Sequence, residues 1–321
     1  MQALPQQRIS AVTAQKFRLI TRSDFDGLVC AVLLNDLGLI DDIKFVHPKD
    51  MQDGKIEVGP HDITTNLPYV PSAYMAFDHH ASETVRNKGD RKNHVIDAKA
   101  PSAARVVYDY YGGAKVFPRI APDMMAAVDK ADSAQFSREE ILEPKDWVLL
   151  NFLMDARTGL GRFRNFRISN YTLMMDLIKY CADHGIADIL GLADVKERVE
   201  VYFEHAERAK EQILRCSTVY GNLVVLDLRN EETIWATNRF VIYALFPQAN
   251  ISIHAMWGVQ KQNTVFATGK SILDRSSKTN IGNLMLKYGG GGHHAAGTCQ
   301  VENDQAPEVL QALIETINKD G

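Results

Sequence analysis

The sequence predicts an α/β protein of two domains joined by a helix, and three observations predict it. Short apolar runs alternate with segments of helical spacing through residues 1–192, the pattern of a mostly parallel sheet. A charged stretch over 193–217 carries Val195, Val199, Tyr202, Ala206, Ala209 and Ile213 along one helical stripe, which reads as a linker helix. The pattern then restarts over 218–321. There the runs 251–257 and 264–270 read as strands paired across a polar turn, giving a smaller α/β domain with a mixed sheet.

The 321 residues exceed one typical core and suit two. A content of 45% hydrophobic and 24% charged residues is that of an ordinary globular chain, not a disordered one. The formal net charge of -4 gives no general attraction to nucleic acid. A polyanion must therefore meet a local basic pocket, and the charge argues against long DNA, which is held by many phosphate contacts; none is expected as a partner. Cys30, Cys181, Cys216 and Cys299 are scattered without paired metal spacing, as suits a reducing compartment. No apolar run reaches about 18 residues, and the start MQALPQQRIS lacks the apolar stretch of a signal peptide. The expectation is a cytoplasmic protein with no membrane contact.

Along the chain, Phe17 to Ile20 reads as a strand, and Leu28 to Leu37 as a helix stopped by Gly38. Asp24 and Asp26 lie between them. Two carboxylates one residue apart can both reach a cation, with Gly27 allowing a sharp turn; a pair of helix caps is the alternative. Ile43 to Val46 is a second strand. Asp62 to Leu67 is a third, ending on Asn66 before Pro68. Tyr74 to Phe77 is a fourth, and it runs into Asp78, His79 and His80. Open α/β sheets place ligands past the carboxyl ends of their strands. Imidazole with carboxylate suits a divalent transition metal, and a structural histidine pair in a loop is the alternative.

Ser102 caps a helix, Ala103 to Tyr111, ended by Gly112. Pro122 opens another that places Asp129 and Asp132 on one face. Lys145 to Leu153 and Tyr171 to Ala182 also have helical spacing. Between these two lie Arg157, Arg162, Arg164 and Arg167, interleaved with Phe163 and Phe166. Such a pattern suits a base and phosphate surface; a plain exposed loop is the slightly favoured reading. In the last third, Leu223 to Leu226 is a strand, and Asn238 to Phe246 and Thr279 to Tyr288 are helices. Gly289 to Gly292 follow, then His293 and His294. Glycine amides in succession can form an anion nest. With Lys270, Arg275 and Lys278 upstream, a phosphate or carboxylate site is expected rather than a mere helix stop.

Four strings, SDFDG (23–27), FDHH (77–80), VDKADS (128–133) and GGGGHHAAG (289–297), taken in order, resemble the DHH phosphoesterase superfamily. That superfamily includes RecJ-type exonucleases, family II inorganic pyrophosphatases and nanoRNases. Each string is weak alone, and together they span nearly the whole chain. The resemblance implies a DHH domain over 1–192 and a DHH-associated substrate domain over 218–321. It implies Asp24, Asp26, His79 and Asp132 as metal ligands, with Asp129 the lesser candidate. It makes His80 the residue facing the scissile phosphate and Asp78 its orienting partner. It implies that Arg275, Gly291, Gly292, His293 and His294 bind the nucleotide or terminal phosphate across a cleft.

The chain departs from the family pattern in three places. Arg22 stands where the first motif has a histidine, and Asn66 where the second has a metal-bridging aspartate. The last signature is one residue shorter after His293. An arginine cannot ligate a cation but can hold a phosphate oxygen. The expectation is therefore one firmly held cation on Asp26, His79 and Asp132, with a second left open and Asn66 as a weak neutral ligand. The family favours Mn²⁺, with Mg²⁺ as the alternative. The implied reaction is hydrolysis of short linear nucleotides, such as pGpG or two-to-five-residue RNA, to mononucleotides; a homodimer is left open. Rival readings are a phosphohydrolase for polyphosphate, a cyclic dinucleotide or a 3′-phosphoadenosine nucleotide, and a nucleotide-binding regulator that has lost catalysis.

Overall fold

The structure is a computed structural model that describes residues 15–80, 83, 91–163 and 165–321. Arg164 and the first fourteen residues lie outside this set. The chain divides into two units. The first runs through Gln135 and adds Lys145–Ala156 and Leu160–Glu200; the second holds Phe136–Pro144, Arg157–Gly159 and Val201–Gly321.

The first unit is built on a five-stranded sheet: β1 (Phe17–Thr21), β2 (Ile40–Phe45), β3 (Asp62–Thr65), β4 (Met75–Asp78) and β5 (His94–Ile96). The strand order is β2-β1-β3-β4-β5, and every pairing is parallel. All five carboxyl ends therefore share one edge. The chain leaves β1 for one neighbour and returns to the other, so the order reverses between β1 and β3. Such a switch point opens a crevice at the carboxyl edge, where ligands of open α/β sheets bind. The residues that follow β1, β3, β4 and β5 are Arg22 to Asp26, Asn66, His79 with His80, and the segment leading to Ser102.

Helix α1 (Phe25–Asp36) follows β1 directly, and its residues Phe25 to Leu34 are all buried. A helix apolar on every side belongs inside a core. Its first turn lies hard against the strand end. A Cβ added at Gly27 would lie 2.0 Å from the Arg22 carbonyl oxygen and 2.9 Å from Thr21 Oγ1. Gly27 thus serves close approach, not the sharp turn expected of it. Helix α2 (Ala103–Tyr111) is capped by Ser102, whose Oγ accepts from the Arg105 amide, and it ends on Gly112 at φ 118°. Helix α3 (Pro122–Asp132) opens on its proline. Helices α4 (Asp146–Met154) and α5 (Asn170–Tyr180) also belong to this unit, with the first turns of α6 (Ala193–Cys216).

The second unit has a six-stranded sheet in the order β10-β11-β9-β8-β7-β6. Its strands are β6 (Ser217–Tyr220), β7 (Leu223–Asp227), β8 (Ile251–Trp257), β9 (Thr264–Lys270), β10 (Gly291–His293) and β11 (Ala296–Val301). Only β7 and β8 pair in parallel, so the sheet is mixed. Ile251, Ile253, Phe266 and Met285 lie in its core with Leu313 and Ile317.

Several boundaries differ from expectation for local reasons. Strand β3 stops at Thr65 because Asn66 turns left-handed, at φ 56°. The helix expected from Asn238 spans Val241–Leu245. Asn238 spends its side chain on the Ile141 carbonyl, the Tyr202 hydroxyl and the Phe240 amide instead. The helix expected over 279–288 is α7 (Ile281–Leu286), capped by Asn280. Strand β5 was not anticipated, and neither was helix α8 (Ala306–Asp320). Pro307 in the first turn and the spacing of Leu310, Leu313, Ile314 and Ile317 were the available signal for α8.

Replacing Gly27 by alanine forces a methyl group into backbone atoms that cannot yield. Overpacking of this kind costs about 1–3 kcal/mol or more. The Gly27→Ala variant is expected to unfold at a clearly lower urea midpoint than the wild type, with an unchanged dependence on denaturant.

Candidate metal centre

Three side chains from three elements converge at the carboxyl edge. Asp26 from α1, His79 from just beyond β4 and Asp132 from the end of α3 offer ligand atoms that all lie within 4.8 Å of one another. Asp26 is 3% exposed. Its Oδ2 accepts from the Ala103 amide at 3.1 Å and its Oδ1 from the Ala104 amide at 2.8 Å. The free amides of the first turn of α2 therefore hold this carboxylate. His79 Nδ1 lies 3.1 Å from the Ala100 carbonyl oxygen. Donation there places the proton on Nδ1 and leaves Nε2 as a lone-pair ligand.

His79 Nε2 lies 2.8 Å from Asp132 Oδ2. Yet Nε2 is buried and has no aligned hydrogen bond. Two polar atoms at contact distance, not pointing at each other, are what a cation between them would require. Two carboxylates and one imidazole also form a donor set suited to a divalent metal. On both counts the residues fit such an ion.

The electrostatics agree. Burial, then the neighbouring Asp132, push the Asp26 carboxyl up to about 7. Burial works against a charged His79, but Asp132 and Asp26 outweigh it and raise its pKa to about 9. Burial also works against the Asp132 carboxylate, but His79, His80 and Arg22 hold its pKa below the usual range. The cluster thus lacks positive charge, and protonation of His79 supplies it when no cation does.

Asp24 lies beside this cluster on different partners. It caps α1, with Oδ1 accepting from the Gly27 amide at 3.0 Å and from Asn66 Nδ2 at 3.4 Å. Its Oδ2 lies 3.1 Å from Arg22 Nε. The two departures from the family pattern, Arg22 and Asn66, therefore meet on one carboxylate. Asn66 Oδ1 and Asp78 Oδ2 are buried without hydrogen-bond partners. His80 Nδ1 lies 2.7 Å from Asp78 Oδ1. Burial opposes a charged His80, but Asp78 raises its pKa. Asp129, the lesser ligand candidate, is committed elsewhere, to Ser102 Oγ at 2.8 Å and to Arg105 Nε at 3.0 Å.

The chain is 65% identical to a pGpG-specific phosphodiesterase, PggH of Vibrio cholerae. The match covers 95% of this chain and 100% of that one, with a TM-score of 0.83. The chain belongs to the DHH phosphoesterase family. It is a phosphoric ester hydrolase. Solved structures at lower identity share its fold. The RecJ of Thermus thermophilus in complex with Mn²⁺ is 12% identical at TM-score 0.55, over 98% of this chain and 54% of that one. A manganese-bound RecJ exonuclease is 14% identical at TM-score 0.52, over 99% and 94%. No family model and no curated protein matches the chain.

The residues expected to bind substrate lie in the second unit. The glycine run there is explained largely by packing. Gly289 closes α7 at φ 72°, and Gly291 to His293 form β10, paired with Ala296 to Thr298. A Cβ at Gly290 would meet the Thr298 carbonyl oxygen at 2.2 Å, and one at Gly292 the Ala296 carbonyl oxygen at 2.3 Å. A strand has replaced most of the expected nest. Gly292, His293 and His294 are exposed on this hairpin. His294 Nδ1 lies 3.4 Å from Lys270 Nζ, and Arg275 Nε donates to the Ile272 carbonyl at 3.4 Å. The arginine-rich stretch is divided. Arg157 belongs to the second unit, whereas Arg167 makes a fork on Asp194 at 2.9 and 2.6 Å in the first, and Phe166 lies 4.2 Å beneath Arg198. Arg167 and Phe166 are thus engaged with residues of the first unit.

Sequence reasoning missed the backbone of 100–104 as a holder of ligands. Amides and carbonyls leave no side-chain signature, and the Ser102 cap was the only visible sign.

A cation must displace the His79 proton and, at lower pH, the Asp26 proton. Below the pKa of about 9, Mn²⁺ affinity is expected to rise roughly tenfold per pH unit. It should rise more steeply below about 7, where Asp26 is also protonated. Calorimetric titration of the metal-free protein at pH 6, 7 and 8 measures this, along with about one proton released per ion at pH 8.

Proposed function

We propose that the chain hydrolyses pGpG-type linear dinucleotides to mononucleotides, using one firmly held Mn²⁺ or Mg²⁺ ion on Asp26, His79 and Asp132. The observation that carries the substrate is the 65% identity, over 95% of the chain, to a pGpG-specific phosphodiesterase. The chemistry is supported by the convergence of the three ligands at the switch point of the sheet. A bound divalent cation supplies a water of lowered pKa and neutralises charge on the phosphoryl oxygens.

The chain's own residues do the rest. The Arg22 guanidinium, anchored through Nε on Asp24, offers its remaining donors to a non-bridging phosphate oxygen. It supplies fixed positive charge on the side of the site where the family pattern places further metal ligands. Asp24 then serves as anchor and helix cap more than as ligand, and Asn66 holds it from the other side. His80, oriented by Asp78 and with a raised pKa, carries a proton for the leaving oxygen. The family resemblance assigns Arg275, Gly291, Gly292, His293 and His294 to binding of the remainder of the nucleotide. The short substrate agrees with the net charge of -4, which offers no broad basic surface to a long polyanion.

Incubation with pGpG and Mn²⁺ is expected to yield two equivalents of GMP, and metal analysis to find one ion per chain. Asp132→Asn should lower activity by about 100-fold or more, through lost metal. Arg22→Met should lower kcat by a similar factor, about 10²–10³ for one lost charge-stabilising donor, while Mn²⁺ affinity holds or rises. Full, metal-dependent activity in an Asp26→Ala variant would refute the site, and intact pGpG after long incubation would refute the substrate.

A further inference from the structure

The three metal ligands share a feature that their own chemistry does not demand: each is tied to the same six residues, Ala100 to Arg105. His79 Nδ1 meets the Ala100 carbonyl at 3.1 Å. Asp26 takes the amides of Ala103 and Ala104 at 3.1 and 2.8 Å. Asp132 is tied through its own helix. One turn earlier in α3, Asp129 accepts from Ser102 Oγ at 2.8 Å, from Arg105 Nε at 3.0 Å and from Arg105 Nη2 at 2.5 Å. Ser102 Oγ in turn accepts the Arg105 amide at 3.0 Å, which closes the loop of contacts.

Residues three apart in a helix share a face. A clamp on Asp129 therefore sets both the rotation and the height of Asp132 above α2. The planar fork of arginine fixes a carboxylate in two directions, which a lysine cannot do. The pair is also shielded, with side chains 26% and 19% exposed, so it is not an ordinary surface ion pair of negligible worth.

We infer that the Ser102–Arg105–Asp129 clamp is a positioning device for the metal centre, holding Asp132 in register with the two ligands that the Ala100 to Ala104 backbone already holds. Arg105 and Asp129 touch neither cation nor substrate; they act through the angle of α3. This inference rests on the assignment of Asp26, His79 and Asp132 as the metal ligands. Groups behind metal ligands typically change affinity by about 10–100-fold when removed.

The test is titration of metal-free, full-length protein with Mn²⁺ alone, beside steady-state kinetics at saturating Mn²⁺. The chains compared are the wild type, Arg105→Met, Arg105→Lys, Asp129→Asn and a control, Arg119→Met, which removes a surface pair with Asp36 and Asp183. Arg105→Met is expected to weaken Mn²⁺ binding about 10–100-fold and to lower kcat with little change in KM. Arg105→Lys should fall between it and the wild type, and Arg119→Met should bind as the wild type does. Should Arg105→Met fail to fold, Asp129→Asn keeps the shape of the acceptor and is expected to weaken binding in the same direction. Wild-type Mn²⁺ affinity in a folded Arg105→Met or Asp129→Asn chain overturns the clamp. Absence of Mn²⁺ binding by the wild type overturns the metal assignment instead, so the two failures are distinguishable.

Discussion

Burying the Asp26 carboxylate is the constraint on which the site depends. A lone ionised carboxyl group inside a protein is costly unless it is paired and hydrogen-bonded. Here it is almost fully enclosed, with a second acid, Asp132, close by. Two backbone amides from the start of α2 and the His79 imidazole answer part of that cost. The remainder appears as the upward shift of Asp26 and of His79, which marks a place built for one more positive charge. Shifts of this kind cluster at functional sites because chemistry requires charge where folding alone would exclude it. A divalent cation held there would meet that deficit and would supply a water of lowered pKa.

The parallel sheet makes this convergence affordable in conformational terms. Because all five strands run the same way, residues far apart in sequence arrive at one edge without any long loop having to be ordered. Asp26 and Asp132 are a hundred residues apart, yet each lies within a turn of a helix end. Helix termini carry free amides or carbonyls. The site is therefore held mainly by secondary structure, with side-chain clamps making the final adjustment.

Much of this was legible in the sequence. Apolar runs marked the four strands that carry ligands or neighbour them, and Gly38, Ser102, Gly112 and Pro122 punctuated the helices close to where they begin or end. Helix α6 and strands β8 and β9 have the expected bounds. Asp26, His79 and Asp132 could be named as candidates because the strings that hold them resemble the family's motifs. Spacing alone could not choose Asp132 over Asp129, since both lie on one helix face; the structure separates them by placing Asp132 beside His79 and Asp26 and by tying Asp129 to Ser102 and Arg105. Asn66 stopping β3 in a left-handed turn was also hidden, because an apolar neighbour, Leu67, carries the strand pattern one step further. The packing demand on the glycine run was hidden: Gly290 and Gly292 lie where two backbones press together, which composition alone does not reveal.

Arg22 and Asn66 acquire a common meaning once both are seen on Asp24. Each departs from its family motif, and each favours an Asp24 carboxylate that is hydrogen-bonded over one that is coordinated. A fixed guanidinium does not dissociate and needs no second ion from solution.

The most direct measurement is the anomalous scattering of a crystal grown with Mn²⁺. The account predicts one strong peak at about 2.0–2.3 Å from an oxygen of Asp26, from Nε2 of His79 and from an oxygen of Asp132, with the Arg22 guanidinium still on Asp24. Two peaks of equal strength, or a single peak away from these three residues, would contradict it.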